Sequence, residues 1–318
     1  MSVWLLTDAA MDAHHAAGHP ERPERREAVA AGVRDGAGED LVEPAVQEID
    51  QASLIEVHDP QYLDSLDEAE GDGGAWLDPD TYLVPGSMRA ARLAAGATLQ
   101  AAVAAQMGDA EVSFAVVRPP GHHAGRARAS GFCLLNNVAM AAAGLRRRGL
   151  ARRIAIVDWD VHHGDGTQAI FDADPDLCYA STHQWPLYPG TGARDERGSG
   201  PAEGSVHNRP LDPGAGDEAF VDAWRADLLP AIEGFEPDAI LVSAGYDAHA
   251  SDPLANLRVT EAGFGEVAGL LGELSGRLGL AGVALTLEGG YDLDALRASA
   301  TATVRGLLDG RRRASGSP

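Results

Sequence analysis

The chain contains no lysine. All 25 of its basic side chains are arginine, set against 48 aspartates and glutamates, for a formal charge of −23 over 318 residues. A surface of that sign repels phosphate backbones, which argues against direct nucleic-acid binding. It suits a cationic amine ligand or a high-salt cytoplasm, although a GC-rich genome produces the same arginine bias. Cysteine is scarce too. Cys133 and Cys178 are the whole complement, too few for a disulfide framework and in keeping with a reducing compartment. No run of 18 apolar residues occurs, which excludes a spanning helix, and MSVWLLTDAAMD is too short and acidic for a secretion signal. Internal repeats are absent as well. These absences lead to the expectation of a cytoplasmic protein with no membrane segment, built as a single domain over residues 1–310. Residues 311–318 have the composition of a disordered tail.

What the chain does have is a recurring unit, an apolar strand followed at once by a polar turn. The fullest case is IAIVDWDVHHGDG, from Ile154 to Gly166. Ile154 to Val157 reads as a buried strand of a parallel sheet. In extended backbone, side chains two apart share a face, so Asp158, Asp160 and His162 leave the strand end together. Two carboxylates about 4 Å apart repel by roughly 4 kcal/mol at an effective dielectric near 20. A bound cation turns that repulsion into attraction; the competing reading is an Asp/His network that caps the next helix.

The same unit recurs along the chain. Strands are expected over Ser2–Thr7, Ser113–Val117, Leu177–Thr182, Ala239–Ser243 and Gly282–Leu287. Helices are expected from near Glu24, over Ala52–Leu66 with a break near Pro60, and over Ser87–Met107, Asn136–Arg148 and Asp165–Phe171. Three more follow over Asp217–Ile232, Thr260–Leu278 with Thr260 as cap, and onward to about Leu308. Gly71–Gly86 reads as irregular. Such alternation calls for an α/β fold with a mostly parallel sheet covered on both faces. In that arrangement the turns Arg118–Gly125, Asp158–Gly166, His183–Gly192, Ala244–Asp247 and Glu288–Tyr291 all reach one edge of the sheet. The early segment His14–Arg25, braced by Pro20 and Pro23, is either a pocket wall or, more simply, a connector.

Taken in order, HPERPER, RPPGHHAG, GFCLLNN, VDWDVHHGDGTQ, the PGTG loop, SAGYDAHASDP and LEGGYDL make most of the chain resemble the histone deacetylase superfamily. The wording is closest to its class II-like, acetoin-utilisation and acetylpolyamine amidohydrolase-like branch. The resemblance implies the three-layer αβα fold shared with arginases, and zinc bound by Asp160, His162 and Asp247. Three protein ligands suit a catalytic zinc, which keeps a position open, and an O,N,O set also admits Fe2+ or Co2+. It implies a structural potassium ion held by the side chains of Asp158 and Ser181 and by carbonyls including those of Asp160, His162 and Thr182. His123 becomes the general base and later the acid, with Asp165 behind it. His122 stands beside it with Asp158 behind, and Tyr291 donates to the developing oxyanion. Phe132 and Tyr188 wall the acyl-lysine tunnel, while Gly131, Gly289 and Gly290 allow close approach. Arg25 lies near an inner acetate cavity and Asp80 at the rim. Cys133 lies beside the tunnel, and His163, His183 and His249 are structural.

The implied reaction is hydrolysis of an N-acetyl amide, on acetyl-lysine in a protein or on an acetylpolyamine, to free amine and acetate. Two other readings stand beside it. One is a catalytically silent acyl-ligand or protein-binding module, which has no use for a base and an oxyanion donor. The other is an arginase-like dinuclear ureohydrolase, which needs more bridging aspartates and has no need of RPPGHHAG or Tyr291.

Overall fold

The apolar runs do form strands, and the strands lie side by side. A computed structural model describes residues 2–316. In chain order the elements are β1 (Val3–Leu6), α1 (Pro23–Ala37), β2 (Leu41–Val42), α2 (Gln51–Val57), α3 (Pro60–Gly71), β3 (Ala75–Trp76), β4 (Tyr82–Leu83) and α4 (Ser87–Met107). They continue with β5 (Val112–Ala115), α5 (Asn137–Arg147), β6 (Ile154–Asp158), α6 (Asp165–Phe171), β7 (Leu177–Gln184) and β8 (Val206–Leu211). The last are α7 (Asp217–Ala223), α8 (Leu229–Phe235), β9 (Ala239–Ala244), α9 (Glu261–Arg277), β10 (Val283–Leu287) and α10 (Leu293–Ala314). Eight strands make one sheet in the order β2-β1-β5-β10-β9-β6-β7-β8, and every pairing in it is parallel.

The period-two alternation of the central strand divides its side chains between two cores. Ala155 and Val157 pack with residues of α1 and α7 to α10, whereas Ile154 and Ile156 pack with residues of α2 to α6. All four are fully buried, as an unbroken apolar strand requires when both faces of a sheet are covered. The fold is the expected three-layer α/β arrangement.

Several segments differ from the sequence reading, and four of them have a clear physical reason. β8 was hidden because VHNRPL lacks an apolar run; it is an edge strand, where Pro210 is tolerated. Within Gly71–Gly86, β3 and β4 pair as a two-residue antiparallel hairpin, too short to leave a periodic signal. The helix expected over Asp217–Ile232 contains a π turn at Trp224–Leu228 just before Pro230, whose missing N–H perturbs the ladder. The tail assignment is corrected for residues 311–314. α10 continues to Ala314, and Arg311 is half-buried against α9, donating to Ser275 Oγ and the Ala281 carbonyl, both at 2.8 Å. Residues 317–318 lie outside the described residues.

The strand order settles where the polar turns meet. β5, β10, β9 and β6 are consecutive neighbours. Their carboxyl ends therefore place Arg118–His123, Glu288–Tyr291, Gly245–Asp247 and Asp158–His162 along one stretch of the sheet edge. β7 extends two residues beyond its predicted end, so His183 lies in the strand and the loop bearing Tyr188 follows it.

Candidate active site

The turn after β5 is held from below by a buried acid. Glu288, at the end of β10, accepts the backbone N–H groups of Gly121 (2.6 Å) and His122 (3.1 Å) on one oxygen and the Ser243 hydroxyl (3.1 Å) on the other. Burial pushes its carboxyl up to about 7. This clamp presents two adjacent imidazoles with separate carboxylate partners. His122 Nδ1 lies 3.1 Å from Asp158 Oδ2, which also accepts the Tyr179 hydroxyl at 3.0 Å. His123 Nδ1 lies 2.8 Å from Asp165 Oδ1.

Their environments separate the two rings. Burial disfavours charge on His122, but the carboxylates of Asp160 and Asp158 override it and raise its pKa well above the usual value. Burial, reinforced by the charge of His122, pushes His123 down to about 4 despite Asp165. One ring is thus pushed towards the neutral form and the other towards the charged one, the division expected of a base and its electrostatic partner.

Asp160, His162 and Asp247 offer ligand atoms that all lie within 4.8 Å of one another. Backbone amides fix both carboxylates. His162 N–H and Gly289 N–H donate to Asp160 at 2.9 and 2.7 Å, and Val161 N–H donates to Asp247 at 2.8 Å. Two glycines make room for them, since a Cβ at Gly245 would lie 2.0 Å from Asp160 Oδ2 and one at Gly289 would lie 2.1 Å from Asp247 Oδ2. His162 Nδ1 faces the two carboxylates at 3.2 and 3.1 Å. Burial opposes charge on this ring, yet its hydrogen bonds to Asp160 and Asp247 lift it to about 10. The point where the three donors meet thus favours positive charge, and an O,N,O donor set there fits a divalent cation. Among the described residues this is the one such cluster.

A cavity of about 260 Å³ opens above these groups; His122, His123, Asp160, His162 and Tyr291 line it, with Phe132 and Tyr188 in its walls. Phe132, held at φ 70°, stands edge-on to Tyr291 with ring centroids 5.9 Å apart. Tyr188 meets the His123 ring edge-on at 5.2 Å. Gly131 and Gly289 also line the cavity, and a Cβ at Gly131 would lie 2.3 Å from the His123 ring. Burial raises the Tyr291 hydroxyl well above its usual pKa, so it remains a donor. Its backbone N–H donates to Asp252 at 2.8 Å. Leu187, Leu254 and Asp80 complete the walls and mouth. A larger surface hollow of about 700 Å³, near Gln106, Arg146 and Asp238, contains no comparable cluster.

The other predicted residues fall behind the cavity. Arg25 is fully buried; it donates to the carbonyls of Gly290 (2.5 Å) and Glu288 and lies 4.8 Å from the Tyr291 ring centroid. Arg25 and Gly290 therefore back the site and do not line it. The HPERPER segment is a wall support after all, because Glu21 pairs with both Arg25 (2.9 Å) and Arg118 (2.6 Å). Ser181 lies in register with Asp158, its hydroxyl 2.9 Å from His183 Nδ1. Thr182 Oγ1 accepts from Trp224. His183 and His163 are engaged in internal hydrogen bonds, to Gly192 O and to Thr191 and Gln168, and His249 lies 3.4 Å from Glu261. Cys133 is buried, with its thiol pushed far up by desolvation. Sequence reasoning missed Glu288, Asp252, Glu21 and Tyr179. The one available signal was an acid directly after a strand, as Glu288 is in LEGGYDL.

Residues 19–307 match the family model of the histone deacetylase domain. The chain belongs to the histone deacetylase family. It is 42% identical to histone deacetylase 15 of Arabidopsis thaliana, over 91% of this chain and 53% of that protein, so it spans about half of that relative. A probable deacetylase of Methanothermobacter thermautotrophicus is 41% identical, with 95% of this chain and 90% of the relative covered. Polyamine deacetylase HDAC10 of Homo sapiens is 38% identical over 91% of this chain and 44% of its own length. The crystal structure of the HDA15 HD domain superposes with a TM-score of 0.90 at 40% identity, covering 96% of this chain and 88% of that one. Family and fold are those the motifs implied.

Proposed function

We propose that the chain is a metal-dependent hydrolase that splits an N-acetyl amide into acetate and a free primary amine. One observation carries the proposal: the Asp160–His162–Asp247 donor cluster, the His123–Asp165 pair and Tyr291 converge on a single cavity. The family's deacetylase-named relatives support the same chemistry.

Asp160, His162 and Asp247 would hold the metal, with zinc favoured and Fe2+ or Co2+ compatible with the donors. Such an ion polarises a carbonyl and lowers the pKa of a bound water from about 15.7 towards 7. His123, neutral and aligned by Asp165, takes the proton of the attacking water and later returns it to the departing amine. His122, hydrogen-bonded to Asp158, offers its ring N–H to the negative charge that develops next to it. Tyr291 donates its hydroxyl to the carbonyl oxygen as that oxygen becomes an oxyanion. Phe132 and Tyr188 hold the alkyl chain of the substrate between aromatic walls and exclude water. Asp158, Ser181 and the carbonyls of Asp160, His162 and Thr182 would hold a potassium ion, whose charge would steady the β6–β7 strand ends.

A silent binding module is disfavoured, because it has no use for a buried His–Asp pair and a tyrosine donor in the same cavity. A dinuclear ureohydrolase would need more bridging aspartates, whereas the cluster among the described residues has two aspartates and one histidine. For the substrate, acetyl-lysine in a protein is the first choice: Leu254 and Tyr188 are 38% and 42% exposed at the mouth and offer apolar contact to a peptide. Acetylpolyamines are the second, favoured by the acidic charge of the chain. The test is kcat/KM on acetyl-lysine peptides beside acetylated polyamines, each with and without chelator. Chelator-sensitive turnover of the peptides above the polyamines is expected; chelator-resistant turnover would reject the mechanism.

A further inference from the structure

We infer that Arg128 is a positioning residue for His123, acting through Asp165 from the solvent side. The inference rests on the proposed role of His123 as base. Arg128 closes a tight turn in which the Gly125 N–H donates to the Arg128 carbonyl at 2.9 Å and the two residues form an antiparallel bridge. Its guanidinium donates to Asp165 Oδ2 at 2.6 Å, while Asp165 Oδ1 lies 2.8 Å from His123 Nδ1. Side-chain exposure falls along this chain from 61% at Arg128 to 12% at Asp165 and 4% at His123. A surface cation is thus linked to a cavity imidazole through one carboxylate.

The geometry gives each oxygen of Asp165 one task. The terminal torsion of a carboxylate is broad and nearly two-fold, so a single partner does not fix its plane. Asp165 heads α6, which fixes its backbone. Among the described residues no second side chain donates to Oδ2, so Arg128 alone pins that oxygen and keeps Oδ1 turned to the imidazole. The pair also lines a second hollow of about 450 Å³, shared with His163, Gln168, Thr191 and Glu196. This hollow opens the ion pair to water and salt on the side away from substrate. Exposed pairs are weak and are screened by salt. The alignment of the base is therefore sensitive to ionic strength, although the base itself is buried.

The test uses the full chain with an acetyl-lysine peptide and compares Arg128→Gln and Arg128→Lys with wild type. Arg128→Gln is expected to lower kcat about two- to fivefold, the range set by an exposed ion pair, and to leave KM unchanged. Arg128→Lys, which keeps one charged donor, should retain most of kcat. Raising salt from about 0.05 M to about 1 M should pull wild-type kcat towards that of Arg128→Gln and leave the variant unmoved. In proton NMR the hydrogen-bonded ring proton of His123 should broaden in Arg128→Gln, a readout that does not depend on turnover. Unchanged kcat per folded molecule with an unchanged His123 resonance would overturn the assignment. A rise in KM at constant kcat would overturn it too, making Arg128 a substrate contact. His123→Ala separates the two ideas, since near-normal turnover in that variant defeats the base role whatever Arg128 does.

Discussion

The proposed mechanism gives Tyr291 and His123 different parts of the chemistry, and single substitutions separate them. Tyr291→Phe removes one oxyanion donor, commonly worth about 3 kcal/mol, so kcat should fall on the order of a hundredfold with little change in KM. A raised KM at unchanged kcat would make Tyr291 a binding residue only. His123→Ala should abolish turnover while metal content by elemental analysis stays at the wild-type level. At Gly245 even one methyl is too large, since the added Cβ would lie 2.0 Å from Asp160 Oδ2. Gly245→Ala should therefore lose metal as Asp247→Ala does, and full occupancy in it would contradict the ligand geometry. Tyr291, His123 and Asp247 could be picked out in the sequence because each sits in a compact motif that resembles the family's, whereas spacing alone pointed only to the shared face of Asp158, Asp160 and His162. Glu288 and Asp252 were not, because their partners, the amides of Gly121, His122 and Tyr291, come from other segments.

Among the elements, the segment leading into α1 shows where reading from sequence stopped. Local spacing left HPERPER as a connector or pocket wall and the resemblance put only Arg25 near the site, yet Glu21 and Arg25 are both fully buried, and Arg25 supports the β10 turn beneath Tyr291. Nothing in local spacing reveals that Arg118, 97 residues away, shares the same acid. Burial pushes Glu21 up, but Arg118 and Arg25 override it and hold the carboxyl at about 2, against an ordinary 4.5. A carboxyl depressed in the folded state contributes stability that is full above the unfolded value and fades as pH falls through the folded one. At 1.36 kcal/mol per pH unit the contribution is about 3 kcal/mol, lost between about pH 4.5 and pH 2. Acid titration of the unfolding free energy should show this slope in wild type and lack it in Glu21→Gln. That variant should also be destabilised at neutral pH by about 3–5 kcal/mol, because two buried guanidinium groups lose their partner. Strands with strong apolar runs were legible for the opposite reason: their pattern is local, whereas β8 and the β3–β4 hairpin depend on neighbours.

For the whole molecule, the parallel sheet is the device that turns scattered motifs into one site. Four adjacent strand ends, β5, β10, β9 and β6, bring together the proposed base, the proposed oxyanion donor and the three candidate metal ligands. Alternation of strand and helix made the layers and the shared edge legible, but the order of the strands is set by tertiary packing and was not. A metal bound only by the folded state stabilises the entire domain, by about 4 kcal/mol at a thousandfold excess over Kd. Chelation should therefore lower Tm by on the order of 10 °C, with recovery on adding zinc and no response in Asp247→Ala. The most direct measurement is acetate release from an acetyl-lysine peptide by metal-depleted wild type and Asp247→Ala as zinc is titrated in. The account predicts no turnover without metal, full recovery near one equivalent in wild type, and none in Asp247→Ala. Metal-depleted wild type releasing acetate at the full rate would contradict it.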